Sequence, residues 1–70
     1  MNTKRFSVGD KVQYRAMQAG IILGIVVGFG RDQHGDYVSW RVTSKTNPYY
    51  PRGTVDFTSL TDAFLSKRAS

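Results

Sequence analysis

Cysteine and glutamate are both absent from this 70-residue chain, histidine occurs once and proline twice. Without cysteine there is no disulfide staple and no thiolate metal site. A lone histidine, His34, excludes a multi-histidine metal centre, and no cofactor is expected. Glutamate is a preferred filler of exposed helices, so its absence argues against long surface helices. Long hydrophobic runs are missing too. The longest, Gly20 to Phe29, is about half of what a membrane span needs. The charged start Met-Asn-Thr-Lys-Arg leads into no apolar run, so it does not read as a signal peptide. No membrane partner is expected. A cytoplasmic location fits these features, and the lack of cysteine agrees with it.

What is present is positive charge. Lys and Arg total 10 against 5 Asp, a net charge of +5. Basic small domains often meet nucleic acid, because each neutralised phosphate releases condensed counterions. The same charge also serves solubility. A chain this short buries only about 60% of the surface its unfolded form exposes. Stability must therefore come from an efficient apolar core, from self-association, or from both, and a homo-oligomer is an open possibility.

The hydropathy pattern reads as all-β. Residues 1–5 carry no apolar anchor and form a tail; residues 6–65 form one domain; residues 66–70 form a frayed end. Val8-Gly9-Asp10 is a bend into a first strand, Lys11 to Arg15, with Val12 and Tyr14 on one side and Lys11, Gln13 and Arg15 on the other. Ile21, Leu23, Ile25, Val27 and Phe29 make one face of a longer second strand. Ile22, Gly24, Val26 and Gly28 make the other. Glycine inside a strand marks a bulge, a bend or a close backbone approach, and Gly24, Gly28 and the β-branched residues argue against a buried helix here. Gly30 to Asp36 is a polar hairpin loop. Tyr37 to Thr43 is a third strand, with Val38, Trp40 and Val42 inward. Ser44 to Gly53 is a loop holding both prolines, and Thr54 to Phe57 is a fourth strand with Val55 and Phe57 inward. Ser59, with Asp62 three residues on, suits the start of a short helical turn carrying Leu60, Ala63 and Phe64. The expected core is Val8, Val12, Tyr14, Leu23, Ile25, Val27, Val38, Trp40, Val42, Val55, Phe57, Leu60 and Phe64. Ile21, Ile22 and Val26 are then surplus, and surplus apolar surface suggests a partner or a self-interface.

Phe6-x-Val8-Gly9-x-x-Val12 followed by Gly20-x-x-x-Gly24-x-Val26-Val27 resembles the opening of SH3-like barrel domains. The hemimethylated-DNA-binding (heat-shock Q) family begins in a similar way, as do KOW modules and the plasmid-borne type II dihydrofolate reductases. The resemblance covers about residues 6–60. It implies a small antiparallel barrel of four to five strands closed by a short C-terminal helical turn, a fold that hosts many functions. The reductases carry a Val-Gln-Ile-Tyr segment whose Gln and Tyr line a shared pore. The matching positions here are Val55, Asp56, Phe57 and Thr58. With Asp and Thr where that chemistry needs Gln and Tyr, no reductase activity carries over.

Three elements are candidates for function. Lys11 and Arg15 share the outward face of the first strand, and Tyr37 and Arg41 that of the third. In one sheet they would form a polar stripe able to track phosphates, with Tyr37 stacking on a base. The alternative is an ordinary solvated strand face. The second element is the loop with Lys45, Tyr49, Tyr50 and Arg52. Its prolines stiffen it, and tyrosine combines contact area with a polar tip. One of its tyrosines is expected to cap the core. The third is Gly28 to Gly35, with Arg31 and His34. It lacks the strand–loop–helix context and Lys-Ser/Thr ending of a phosphate loop, and reads as a hairpin. No Ser/His/Asp or Cys/His set exists, so catalysis is not expected. An aromatic cage for methylated lysine from Trp40, Tyr37, Tyr49 and Tyr50 is disfavoured, because Trp40 points inward.

The leading expectation is therefore a basic, non-enzymatic module. It would bind nucleic acid through Lys11, Arg15, Arg31, Arg41, Lys45 and Arg52, with Tyr37, Tyr49 and Tyr50 stacking. The alternative is a protein-interaction or inhibitor module, of the size of a phage or plasmid accessory protein, docking through Tyr49 and Tyr50.

Overall fold

A computed structural model of the chain describes residues 6–17, 20–44 and 48–68. These residues form five strands: β1 (Lys11–Ala16), β2 (Gly20–Asp32), β3 (Gly35–Val42), β4 (Val55–Ser59) and β5 (Leu65–Lys67). All neighbours are antiparallel, in the order β4-β3-β2-β1-β5. The protein is all-β. Strands β4 and β5 are the two edges of the sheet, and the sheet is not a closed barrel. No helix among the described residues is long and apolar enough to cross a membrane.

The Val-Gly-Asp opening has a definite mechanical role. The Asp10 N–H donates to the Ser7 carbonyl at 3.0 Å, and the Ser7 N–H donates to the Asp10 carboxylate at 2.8 Å. Gly9 stands third in this turn with φ of +96°, a left-handed conformation that a side chain would strain. The turn docks on β2. The Gly9 N–H donates to the Val26 carbonyl and the Val26 N–H to the Asp10 carbonyl, each at 2.9 Å. Phe6, just before it, is buried in the core.

Strand β2 runs for 13 residues and is irregular at one point. Val26 lies opposite Trp40 and Gly28 opposite Ser39, so Val27 is an extra, unpaired residue. Such a bulge bends the strand and reverses which side chains face in. Before it Ile22, Gly24 and Val26 are buried; after it Phe29 packs on the core. The expected inward set Leu23, Ile25 and Val27 is thus replaced by its neighbours, and Ile22 and Val26 are core rather than surplus. Leu23 and Ile25 are half-buried on the outer face and Val27 is exposed. Both faces of this segment are apolar, so its own alternation cannot choose between them. The choice is made by pairing with β1, which sets Tyr14 opposite Ile22 and Val12 opposite Gly24.

The same reversal occurs on β4. Thr58 points in, and Phe57 points out with 63% of its surface exposed. The cause is Trp40, which is 0% exposed and donates its indole Nε1–H to Thr58 Oγ1 at 3.0 Å. A buried indole N–H without an acceptor costs about 1–3 kcal/mol, so a hydroxyl at this site outweighs a further apolar ring. Trp40 lies against Gly24, where a Cβ would overlap its ring and come within 2.7 Å of the Arg41 carbonyl oxygen. The core is Phe6, Val12, Ala16, Ile22, Val26, Val38, Trp40, Val42 and Leu65, with Tyr14, Phe29, Tyr50 and Leu60 packed around it. Val8 and Phe64, expected inside, are exposed.

The expected C-terminal helical turn is absent, and the chain turns instead into β5. Ser59 Oγ accepts the Thr61 N–H at 3.2 Å, and the Asp62 carboxylate accepts the Phe64 N–H at 2.8 Å. Beyond them the Arg15 N–H donates to the Phe64 carbonyl at 3.0 Å and the Arg68 N–H to the Lys11 carbonyl at 2.8 Å. Leu65 buries its side chain opposite Tyr14. So few residues cannot repay the cost of a helical nucleus, whereas pairing with β1 satisfies the backbone and fills the core. Residues 66–68, expected to fray, are part of this edge, and Lys67 Nζ lies 3.6 Å from the Asp10 carboxylate.

The β2–β3 hairpin is tighter than Gly30 to Asp36. Strands β2 and β3 continue to Asp32 and Gly35, leaving Gln33 and His34 as the turn. The Asp32 carboxylate accepts the His34 N–H at 2.8 Å, and Gly35 takes φ of +115°.

Candidate nucleic-acid interface

Because β1, β2 and β3 are neighbours in one sheet, their outward residues share one face. Lys11 lies opposite Ile25, and Ile25 lies opposite Arg41. Two strand spacings separate the two cations, about 9–10 Å between backbones. Arg15 sits further along β1, opposite Ile21. None of these three cations makes an ion pair among the described residues. The half-buried Ile25 and Leu23 run between them, a surface on which lysine and arginine stems can lie with their charges in water.

The aromatic part of this face comes from β3 and β4. Tyr37 lies opposite Gly30 across the strand pair, and its ring lies where a Cβ of Gly30 would be. A ring laid over a cross-strand glycine holds its place in the sheet. On its other side Phe57 meets Tyr37 edge-on, with ring centroids 5.5 Å apart and planes at 88°. Beside the pair is an open groove of about 490 Å³ lined also by Asp32, His34, Asp36 and Ser59. Sequence reasoning missed Phe57 because it counted the ring toward the core. Its neighbour Thr58 as the partner for Trp40 was the available signal.

No known protein family, curated protein or solved structure matches this chain. The side chains and their geometry carry the functional argument.

The other candidate residues stand apart from this face. Arg31 is exposed at the hairpin, where its Nε donates to the Asp36 carboxylate at 2.7 Å. That bond, and the carboxylate's charge, hold the guanidinium pKa above its ordinary value. Arg31 is thus committed to a partner in a way that Lys11, Arg15 and Arg41 are not. Arg52 occupies the turn Pro51-Arg52-Gly53-Thr54, closed by the Thr54 N–H on the Pro51 carbonyl at 3.1 Å. Its Nε donates to the Ser44 carbonyl at 3.2 Å, which ties the two ends of the loop together. Lys45 lies outside the described residues.

The two loop tyrosines divide. Tyr49 is exposed, whereas Tyr50 folds back onto Tyr14, with ring centroids 6.0 Å apart, and Tyr14 packs on Trp40 at 5.7 Å. This row of rings belongs to the core side of the sheet, opposite the face that carries Lys11 and Arg41. Burial raises the Tyr14 phenol pKa above its ordinary value, and the negative charge of Asp62, Tyr50 and Asp56 raises it further. Burial, then the charge of Asp56, does the same to Tyr50. A methyl-lysine cage that includes Trp40 and Tyr37 does not form, since Trp40 is enclosed and Tyr37 is on the other face.

Proposed function

We propose that this chain is a small, non-enzymatic nucleic-acid-binding module of the SH3-like barrel type, taking a single strand across its outer sheet face. The observation that carries this reading is the meeting of three uncommitted cations, Lys11, Arg15 and Arg41, with the Tyr37–Phe57 pair on one face. Positive side chains that track a backbone beside aromatic rings that accept bases are the two parts of single-strand recognition. Gly30 lets the Tyr37 ring lie down on the sheet, with its outer side open to a base. The SH3-like assignment is supported by a meander whose last strand returns to pair with the first, and by a long bulged β2 that pairs with strands on both sides. The lack of cysteine suits work in a reducing cytoplasm.

The test is a salt titration of a fluorescently labelled single-stranded oligonucleotide, followed by anisotropy. Three phosphate contacts give a log–log slope of about −2, a loss of about 20-fold in affinity between 50 and 200 mM salt. Substituting Lys11, Arg15 or Arg41 by Gln lowers the slope by about 0.7 each, and Arg31→Gln leaves it unchanged. A flat salt dependence, or a triple Gln variant that binds as the parent does, refutes the assignment.

A further inference from the structure

The nucleic-acid reading leaves unused an aromatic groove on the core side of the sheet. It is an open depression of about 750 Å³ assembled from four separate segments. Tyr14 and Ala16 come from the end of β1 and Met17 from just after it, Tyr49 and Tyr50 from the loop after β3, Asp56 from β4, and Phe64 from the turn before β5. Three of its walls are exposed apolar groups, with Met17 86%, Tyr49 64% and Phe64 48% exposed. The floor beneath them is built on packed rings and backbone. Tyr50 rests on Tyr14, Tyr14 on Trp40, and the Phe64 carbonyl is fixed by the Arg15 N–H.

Two carboxylates stand at this groove. In a chain of net charge +5, Asp56 lines the groove and Asp62 acts on the same Tyr14 ring. Neither carboxylate has an ion pair among the described residues. Among the described residues each accepts only a backbone N–H close by in the chain, Asp56 from Phe57 at 3.0 Å and Asp62 from Phe64 at 2.8 Å. A carboxylate has about four lone-pair sites, so one such bond leaves most of its capacity open. Among the described residues Arg15 is the one basic residue in the lining, and it alternates toward the outer face of β1.

From this combination we infer a second binding site, which takes the arginine side chain of a partner peptide. A guanidinium stacks flat on tyrosine rings and is less strongly hydrated than an ammonium, so it enters an aromatic site at lower cost than lysine. Its planar fork matches the Asp56 carboxylate. Apolar residues on either side of the arginine lie against Met17, whose flexible thioether adapts to varied shapes, and against Tyr49 and Phe64. The site is independent of the nucleic-acid face except at Arg15, which borders both. Arg15 attracts phosphate on one side and repels a guanidinium on the other.

The probe is the blocked tripeptide acetyl-Leu-Arg-Leu-amide, compared with its citrulline counterpart, which keeps the shape and loses the charge. Both are titrated into the full chain and followed by amide and tyrosine NMR shifts. The arginine peptide shifts Tyr14 to Met17, Tyr49, Tyr50, Asp56 and Phe64, and binds about tenfold more tightly than the citrulline peptide, the scale of one charge-assisted hydrogen bond. Asp56→Asn keeps the acceptor for the Phe57 N–H and reduces the arginine peptide to the citrulline level. Tyr49→Ala, at an exposed position, weakens both peptides. Arg15→Gln strengthens arginine-peptide binding while weakening the oligonucleotide. Equal affinity for the two peptides, shifts on the outer face instead of the groove, or an Asp56→Asn variant that still prefers arginine overturns the inference. The peptide results stand whether or not the oligonucleotide binds; only the oligonucleotide arm of Arg15→Gln reports on the nucleic-acid face.

Discussion

Gly24→Ala isolates the packing on which the sheet depends. Gly24 lies inward on β2, and its φ is outside the left-handed region, so alanine fits the backbone itself. The obstacle is the neighbour. An added Cβ overlaps the Trp40 ring and lies 2.7 Å from the Arg41 carbonyl oxygen. Neither can give way cheaply. The indole is fully enclosed and tied to Thr58, and the carbonyl belongs to β3, the strand paired with β2. Overpacking of this kind costs about 1–3 kcal/mol. Replacing a strand glycine returns about 0.5–1 kcal/mol of backbone entropy. The net loss is about 1–2 kcal/mol, out of about 4–10 kcal/mol for a domain of this length, and the melting temperature falls by about 5–15 °C. Gly28→Ala is the internal control. It changes the same backbone term on the same strand, but its Cβ meets only Ser39 Oγ at 3.2 Å, which a small rotation relieves. That variant melts at or slightly above the parent. The assay is urea and thermal unfolding followed by the fluorescence of the single tryptophan. A Gly24→Ala protein within about 0.5 kcal/mol of the parent, or a Gly28→Ala protein that falls as far, refutes the argument.

Three further outcomes follow from the same geometry. Thr58→Val strands the Trp40 indole N–H and lowers stability by about 1–3 kcal/mol in urea unfolding, whereas Thr58→Ser keeps most of it; equal losses would mean that the hydroxyl is not the reason for the inward Thr58. Tyr14 and Tyr50 ionise later in the folded chain than in the unfolded one, so their contribution is intact below about pH 10 and is lost as pH rises toward their folded values. Urea midpoints measured upward from pH 9 should therefore fall, and a Tyr14→Phe, Tyr50→Phe double variant should fall less. Gly30→Ala displaces the Tyr37 ring, whose tip can swing into solvent; oligonucleotide affinity drops several-fold in anisotropy while thermal stability changes by less than about 1 kcal/mol, and unchanged affinity would remove Tyr37 from the interface.

Some of this was legible in the residues. The alternation from Lys11 to Arg15 and from Tyr37 to Thr43 has apolar residues at one parity only, so the inward Val12, Val38, Trp40 and Val42 and the outward Lys11, Arg15, Tyr37 and Arg41 could be read directly. Folding back of one loop tyrosine over the core was legible as well, but that it is Tyr50 and not Tyr49 was not, since both rings have the same apolar body. The Val-Gly-Asp bend was visible, but its hydrogen bonds to Val26 are non-local and were not. The split between an outer basic face and an inner aromatic groove was also hidden. It depends on which side of the sheet the loop after β3 crosses, and on Tyr14, Asp56 and Phe64, which are far apart in the chain.

The amino-acid sequence by itself determined that this is a small, basic, all-β domain without cysteine, with glycine-marked turns and a tyrosine-bearing loop. Composition and strict alternation are local properties, and they suffice for that. Only the tertiary structure decided which faces of β2 and β4 are inside. In β2 both parities are apolar, and a one-residue bulge at Val27 exchanges them midway. In β4 a threonine displaced a phenylalanine because a buried indole required an acceptor. A period of two fixes relative facing along an uninterrupted strand, but partners across the sheet fix its absolute sense.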